Sequence, residues 1–334
     1  MTLLKKIMTN QSLTKEDIHQ LASLLISETE SDEEKLALLI AYTMRDDSSK
    51  ELYALCKSLI HSTYETQPYY PNAICVCGTG GDGSNSFNIS TTVSFVVASA
   101  GVPVIKHGNK SITSKSGSTD LLEALGVIPT QVKDVEKVVN QNQLAFISAT
   151  DSYPVMKHVQ SIRRKIPTPT VFNLMGPIIN PFALDYQVMG VYDPTKMHHI
   201  AKVLYQLGRK RALVIHGANG MDEASLSGDN KVIEVSQALG LREYTVNAQD
   251  YGLRYATDEA LRGGSAEENK EITLNILRGE DRTVRRDVVI LNAGLALYAA
   301  EKVTSIQDGI ILAAELIDTK RAYQQYERLR GVQI

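Results

Sequence analysis

From Ala73 onward the chain alternates short apolar, β-branched segments with amphipathic ones, and this alternation restricts it to an α/β architecture. Strand signals fall at 73–77, 102–106, 144–148, 188–192 and 211–216, with helical periodicity between them at 91–100, 118–125, 135–142, 155–165 and 195–207. A strand that leaves through a helical crossover returns parallel to its predecessor, so the expectation is a largely parallel central sheet flanked by helices. Helical stretches at 267–277, 288–300 and 306–317 are expected to cover that sheet.

Before Ala73 the pattern is helical only. Thr14-x-x-Asp17 and Ser31-x-x-Glu34 are helix-start signals, in which a hydroxyl satisfies a free backbone N–H. Ile18, Leu21, Ala22 and Leu25 follow at helical spacing, as do Leu36, Leu39, Ile40 and Met44, and then Leu52, Leu55 and Leu59. Three short amphipathic helices imply a small all-helical domain, closed by a linker at 61–72 that contains Pro68 and Pro71. Pro167, Pro169, Pro177 and Pro181 crowd a second stretch, which reads as a hinge or crossing between subdomains. The expected division is therefore 1–66 as the helical domain, with a contribution from about 166–186, and 67–165 with 187–334 as the large α/β domain.

Bulk properties remove several function classes. The net charge of −3 gives no global field toward nucleic acid or acidic lipid, so an anion must be held by a local site. No segment approaches the roughly 18 consecutive apolar residues of a membrane span, and the N-terminus lacks a signal-peptide pattern. Cys56, Cys75 and Cys77 form no metal or disulfide motif, which fits reduced thiols and a cytoplasmic location.

The sharpest local signal is Gly78-Thr79-Gly80-Gly81-Asp82-Gly83, directly after a strand. Glycines let the backbone turn tightly, and their N–H groups can line an anion. The string satisfies G-x-G-x-x-G, but no helix opens inside it, and the next strand ends in Lys106-His107 where a dinucleotide site needs an acid. A Walker loop fails as well, because no Gly-Lys-Ser/Thr follows. Asn88, Ser90 and Thr91 instead form a polar cluster at a helix start, a place that favours an anion. Lys106-His107-Gly108-Asn109-Lys110 and the hydroxyl-rich run 111–120 should occupy the same sheet edge, beyond the carboxyl ends of the strands. Asp222-Glu223, after the 211–216 strand and its turn, supplies hard oxygens suited to Mg²⁺ beside phosphate.

Taken together, GTGGDG, NIST at 88–91, KHGNK at 106–110, SKSGSTD at 114–120 and LLEALGV at 121–127 resemble the anthranilate phosphoribosyltransferases. The resemblance continues through MKHV at 156–159, FNLMGP at 172–177, the Asp222-Glu223 pair, GGSAEEN at 263–269 and LNAGLAL at 291–297, and so covers nearly the whole chain.

The resemblance implies transfer of a phosphoribosyl group from 5-phosphoribosyl 1-pyrophosphate to anthranilate, with two Mg²⁺ ions, in a homodimer formed through helical domains. It implies that Gly78, Gly81, Asp82, Ser86, Asn88, Ile89, Ser90, Thr91, Lys106, His107, Gly108, Asn109, Ser114 and Ser118 hold the donor. Gly78, Asn109 and Arg163 would contact anthranilate, Arg163 through its carboxylate, while Ser90, Asp222 and Glu223 would serve the metal. Lys106 and His107 are the expected catalytic pair, His107 either as proton acceptor or as a positioning group. The chain departs from the family pattern at Ser86, Lys110, Thr119, Tyr153, Pro167 and Pro169. Two alternatives share the architecture: a pyrimidine nucleoside phosphorylase, which needs no metal pair, and a non-catalytic nucleic-acid-binding paralogue, which would carry a basic groove.

Overall fold

A computed structural model describes residues 2–45, 48–108 and 116–331. Asn109 and Ser114, two of the expected ligand-binding residues, lie outside the described residues.

The N-terminal part comprises α1 (Leu3–Met8), α2 (Lys15–Ile26), α3 (Asp32–Met44) and α4 (Ser49–Thr63). Thr14 and Asp17 form a reciprocal capping box on α2, and Ser31 caps α3 through the Glu34 N–H. The first helix went unseen in the sequence because six residues hold less than two turns of periodicity. Leu21, Leu39, Leu55 and Leu59 are fully buried at the centre of this bundle.

The α/β part follows as β1 (Tyr69–Gly78), α5 (Ile89–Ser99), β2 (Val104–Gly108), α6 (Ser118–Leu125), α7 (Val135–Asn142) and β3 (Leu144–Ser148). The chain then visits the bundle through α8 (Ala149–Ser152), α9 (Lys157–Arg163) and α10 (Val171–Met175), and returns as β4 (Ala183–Gly190), α11 (Met197–Gln206) and β5 (Arg211–His216). An antiparallel hairpin, β6 (Asp229–Ser236) and β7 (Gly240–Asn247), precedes α12 (Ala266–Leu277), α13 (Val284–Ala299), α14 (Ile306–Asp318) and α15 (Arg321–Arg330).

The seven strands are ordered β3-β2-β1-β4-β5-β6-β7. The first five are parallel, and β6 and β7 add on antiparallel at the edge. The expected largely parallel sheet is therefore present, with a two-stranded extension that the sequence did not announce.

Two boundaries differ from the sequence expectation. α9 packs against α2 and α3, although its residues were assigned to the large domain. The crossing ends before Ala183, since 183–186 already belong to the sheet, in register with β1.

Candidate active site

β1 and β4 end side by side, with Gly78 paired to Gly190. The loop after β5 folds back across both ends. A Cβ on Gly190 would overlap the backbone carbonyl of Asp222, one on Gly78 would overlap the Asp222 carboxylate, and one on Gly217 would overlap the carbonyl of Glu223. Only residues without a side chain permit this approach. The glycine loop is laced to it by hydrogen bonds. The Gly80 N–H donates to Asp222 Oδ2 at 2.6 Å, and the Asp222 N–H donates to Asp82 Oδ2 at 3.4 Å. Gly80, Gly81 and Gly83 all have positive φ, the left-handed backbone that brings the loop round.

The consequence is a cluster of three carboxylates, Asp82, Asp222 and Glu223, with ligand oxygens all within 4.8 Å of one another. Burial first, and the neighbouring Asp82 second, push the Asp222 carboxyl up to about 6. Burial and then Asp222 push Glu223 well above the usual range. Glu223 Oε2 is buried with no hydrogen-bond partner. Like charges crowded out of water with an orphaned oxygen are costly until a cation neutralises them, and three hard oxygens suit Mg²⁺. Ser90 lines the same small space as Asp222 and Glu223, so the three residues expected to serve the metal are brought together. Asp82, expected only as a donor-binding residue, joins them.

The groups expected to hold an anion lie next to this space. α5 begins at Ile89, and its N-cap, Asn88, makes no side-chain capping bond, so the N–H groups of Ser90 and Thr91 are left to an anion. Ile89 offers a ligand neither its N–H, which donates to the Phe87 carbonyl at 2.6 Å, nor its side chain, which is in the core. The Thr91 side chain is buried too, so its contribution is that of its backbone. Lys106 Nζ donates to the Val76 carbonyl at 2.6 Å and to Ser90 Oγ at 3.1 Å, which leaves one of its three protons for a ligand. Gly108 packs so closely on Ser118 that a Cβ would overlap the hydroxyl, which seats Ser118 at the end of β2. Ser86 pairs with Arg262 in a short antiparallel bridge.

His107 is placed differently from a catalytic base. Its ring is buried, and Nε2 lies 2.5 Å from the Gly176 carbonyl, which can only accept. Nε2 therefore carries the proton, and Nδ1 faces Asn180 Nδ2 at 3.4 Å and Cys75 Sγ at 3.9 Å. Both nitrogens are committed to protein groups, so of the two expected roles the geometry favours positioning: the ring ties β2 to the proline-rich crossing. Arg163 stands at the end of α9, over the Phe172 ring and 3.4 Å from Asn173 Oδ1. Burial lowers its pKa without a carboxylate to offset it. Its contacts are with the crossing rather than with the phosphate-binding groups.

Two buried asparagines, Asn292 within the LNAGLAL motif and Asn230, to neither of which the sequence assigns a role, hold the Asp222-Glu223 loop. Asn292, in α13, clamps Ala224 from both sides, accepting from its N–H at 3.0 Å and donating to its carbonyl at 2.8 Å. Asn230 accepts from the N–H groups of Ala218 and Ser225 at 3.2 and 2.7 Å.

Comparison with known proteins agrees with this geometry. Residues 70–323 match the α/β domain of a glycosyl transferase family, and residues 1–63 match that family's helical bundle domain. The chain is 55% identical over 332 residues to anthranilate phosphoribosyltransferase of Staphylococcus saprophyticus, covering 99% of this chain and 98% of that one. A relative of the same name from Staphylococcus epidermidis is 56% identical over 331 residues, covering 99% and 100%. Among solved structures, anthranilate phosphoribosyltransferase from Thermus thermophilus superposes with a TM-score of 0.90 at 35% identity, covering 99% of both chains. The Saccharomyces cerevisiae enzyme in complex with PRPP and Mg superposes with a TM-score of 0.85 at 25% identity, covering 98% of this chain and 95% of that one. The glycine-bedded acid cluster facing an uncapped helix start is thus the site of a chain that belongs to the anthranilate phosphoribosyltransferase family.

Proposed function

We propose that this sheet edge transfers the phosphoribosyl group of 5-phosphoribosyl 1-pyrophosphate to the amine of anthranilate, giving N-(5-phosphoribosyl)anthranilate and pyrophosphate, a step of tryptophan biosynthesis. The observation that carries the reading is the clustering of Asp82 with Asp222 and Glu223, the last two lining one space with Ser90, which Lys106 reaches. The relatives' names and the PRPP and Mg of the yeast complex support it. A phosphorylase using free phosphate has no need of three adjacent carboxylates, and a net charge of −3 supplies no basic groove for nucleic acid.

Asp222, Glu223 and Ser90 would hold two Mg²⁺ ions, with Asp82 beside them. When bound, the metal neutralises charge on the departing pyrophosphate. Gly81, the N–H groups of Ser90 and Thr91, and Lys106 hold the phosphates and oppose the same developing charge. The amine lone pair forms the C1–N bond as the C1–O pair leaves with pyrophosphate, and the surplus amine proton passes to that leaving group or to water, so no protein nucleophile is required. Arg163 pairs with the anthranilate carboxylate, and closing of the crossing aligns amine with C1 and excludes water. The partners in this reading are these two small molecules.

The test is loss of anthranilate fluorescence on addition of the donor and Mg²⁺. In the same assay Arg163→Ala is expected to raise the anthranilate KM about tenfold or more, because a charge-assisted pair contributes roughly 1.5–3 kcal/mol. The donor KM should move much less. Equal weakening of both substrates would assign Arg163 to the crossing instead.

The reading extends to a cytoplasmic homodimer joined through the helical domains. Cys56, Cys75 and Cys77 are buried and in no disulfide, which fits reduced thiols, and no helix among the described residues is long and apolar enough to cross a membrane. α1 and α3 pack together and leave Met8 72% and Met44 82% exposed, apolar surface of the kind an interface covers. Light scattering is expected to give twice the 36.7 kDa chain mass, and Met44→Glu to shift it toward the monomer. A monomeric wild type at micromolar concentration would exclude this interface.

A further inference from the structure

Asn88 stands where the proposed donor phosphates meet α5, and a phosphate requires it to present its amide NH₂ rather than its oxygen. Nothing in Asn88 alone decides which end faces the ligand, since the two ends have nearly the same shape. The structure decides it through a residue 181 positions away.

The Gly264 N–H donates to Asn269 Oδ1 at 2.8 Å. A backbone N–H can only donate, so the Asn269 oxygen is pinned there and its NH₂ must point the other way. That NH₂ donates to Asn88 Oδ1 at 2.9 Å. The Asn88 oxygen is thereby committed, and its own NH₂ turns outward, donating one proton to the Ser116 carbonyl at 3.2 Å. Its second proton remains for a ligand. Asn269 is 2% exposed, so water does not compete for these bonds.

The segment carrying Gly264 is itself held against the Asn88 loop. Gly263 N–H donates to the Asn85 carbonyl at 2.9 Å, and Phe87 N–H donates to the Leu261 carbonyl at 3.1 Å. A Cβ on Gly263 would lie 2.7 Å from Phe87 Cα, so only glycine allows the approach. These groups wall a cleft of about 250 Å³ that Ser86, Ser116, Arg262, Gly264 and Asn269 line.

We infer that Asn269 is a positioning residue for donor binding: it carries the polarity of the Gly264 N–H to Asn88 and fixes that side chain as a donor toward phosphate. The inference rests on the reading of Asn88 as a ligand of the phosphoribosyl donor.

Asn269→Asp tests it with almost no change of shape. One carboxylate oxygen keeps the Gly264 bond, and the other meets Asn88 Oδ1, so Asn88 must flip and turn its oxygen toward Ser116 and the phosphate. Titration calorimetry with phosphoribosyl pyrophosphate and Mg²⁺ is expected to show about tenfold or more weakening, the scale of a lost charge-assisted hydrogen bond. The anthranilate KM should change less than about twofold, as Arg163, its proposed carboxylate partner, contacts Phe172 and Asn173 rather than the relay. Asn269→Ala leaves Asn88 free to choose either orientation, so it should weaken donor binding less than Asp does while lowering the melting temperature more. A structural role alone would order binding and stability the same way.

The added charge at position 269 is separated from polarity by a double-mutant cycle. In an Asn88→Ala background, Asn269→Asp should lose most of its effect on donor affinity. An undiminished effect there, or equal weakening by Asp and Ala, overturns the relay. Donor binding by the wild type without turnover would refute the proposed reaction while the cycle still measures the relay. A wild type that does not bind the donor would overturn both.

Discussion

Joint replacement of Asp222 and Glu223 by Asn and Gln is expected to abolish magnesium-dependent turnover, by on the order of 10³-fold or more, without unfolding the chain. The size follows from where these groups sit. They and Asp82 supply oxygens within 4.8 Å of one another, in a space shared with Ser90 and close to Lys106. With two of the three carboxylates gone, Asp82 is the one left in the cluster, too little charge to hold a divalent ion against pyrophosphate. The physical cost of the cluster gives a second, independent readout. Burial raises the pKa of both carboxyls, reinforced by Asp82 at Asp222 and by Asp222 at Glu223, so the metal-free protein holds crowded, desolvated acids that Asn and Gln relieve. In EDTA the double variant should melt at or above the wild type. Mg²⁺ should raise the melting temperature of the wild type and leave that of the variant unchanged. Wild-type-like turnover with an unchanged circular dichroism spectrum would overturn the metal assignment.

Gly190→Ala is expected to be nearly as damaging, although Gly190 offers no functional group. Its Cβ would overlap the backbone carbonyl of Asp222, and a backbone atom cannot rotate aside. The loop must lift from the ends of β1 and β4, carrying Asp222 and Glu223 away from Asp82. Turnover should fall about 10²-fold or more, because displacement of about 1 Å in a preorganised site has that effect. Overpacking should cost about 1–3 kcal/mol of stability. Gly208→Ala is the control. Gly208 has φ of +81° with nothing within 4 Å of the added methyl, so it should lose stability through backbone strain and keep kcat. A Gly190→Ala protein with normal activity and a normal thermal response to Mg²⁺ would show that the loop is not seated by this contact.

Together the two variants separate the charge of the site from the way the fold seats it. Asn292 and Asn230 belong to the seating. They bond the backbone around Asp222-Glu223 from α13 and β6, so this loop is held by buried amides rather than by its own sequence.

Local chemistry alone specified a good part of this molecule. Elements bounded by strong signals, such as β3, β5, α6 and α7, lie where the periodicity placed them, because apolar pattern and turn residues there agree with burial. GTGGDG, NIST and Asp222-Glu223 stand out in the sequence as candidates for an anion and metal site, and the fold gathers them at one sheet edge, because glycine, hydroxyl and carboxylate chemistry is legible without the fold.

Other features needed partners distant in sequence. β4 begins five residues earlier than its apolar run, because Asp185 and Gln187 are buried polar residues that only tertiary partners make tolerable. Asp185 is satisfied by Tyr69, Asn72 and Lys210, and Gln187 by Arg209. The edge strand β7 carries exposed Arg242 and Glu243, so its strand character comes from pairing with β6 rather than from hydrophobicity. α15 was missed because its mostly polar sequence is helical only where Ala322, Gln325, Tyr326 and Leu329 find a face to bury. At the site, the entry of Asp82 into the acid cluster, the commitment of both His107 nitrogens and the orientation of Asn88 by Asn269 each depend on a contact made across at least 69 residues of chain. A side chain's chemical type is written in the sequence, but which of its atoms faces the ligand is set by the groups that folding brings to its other side.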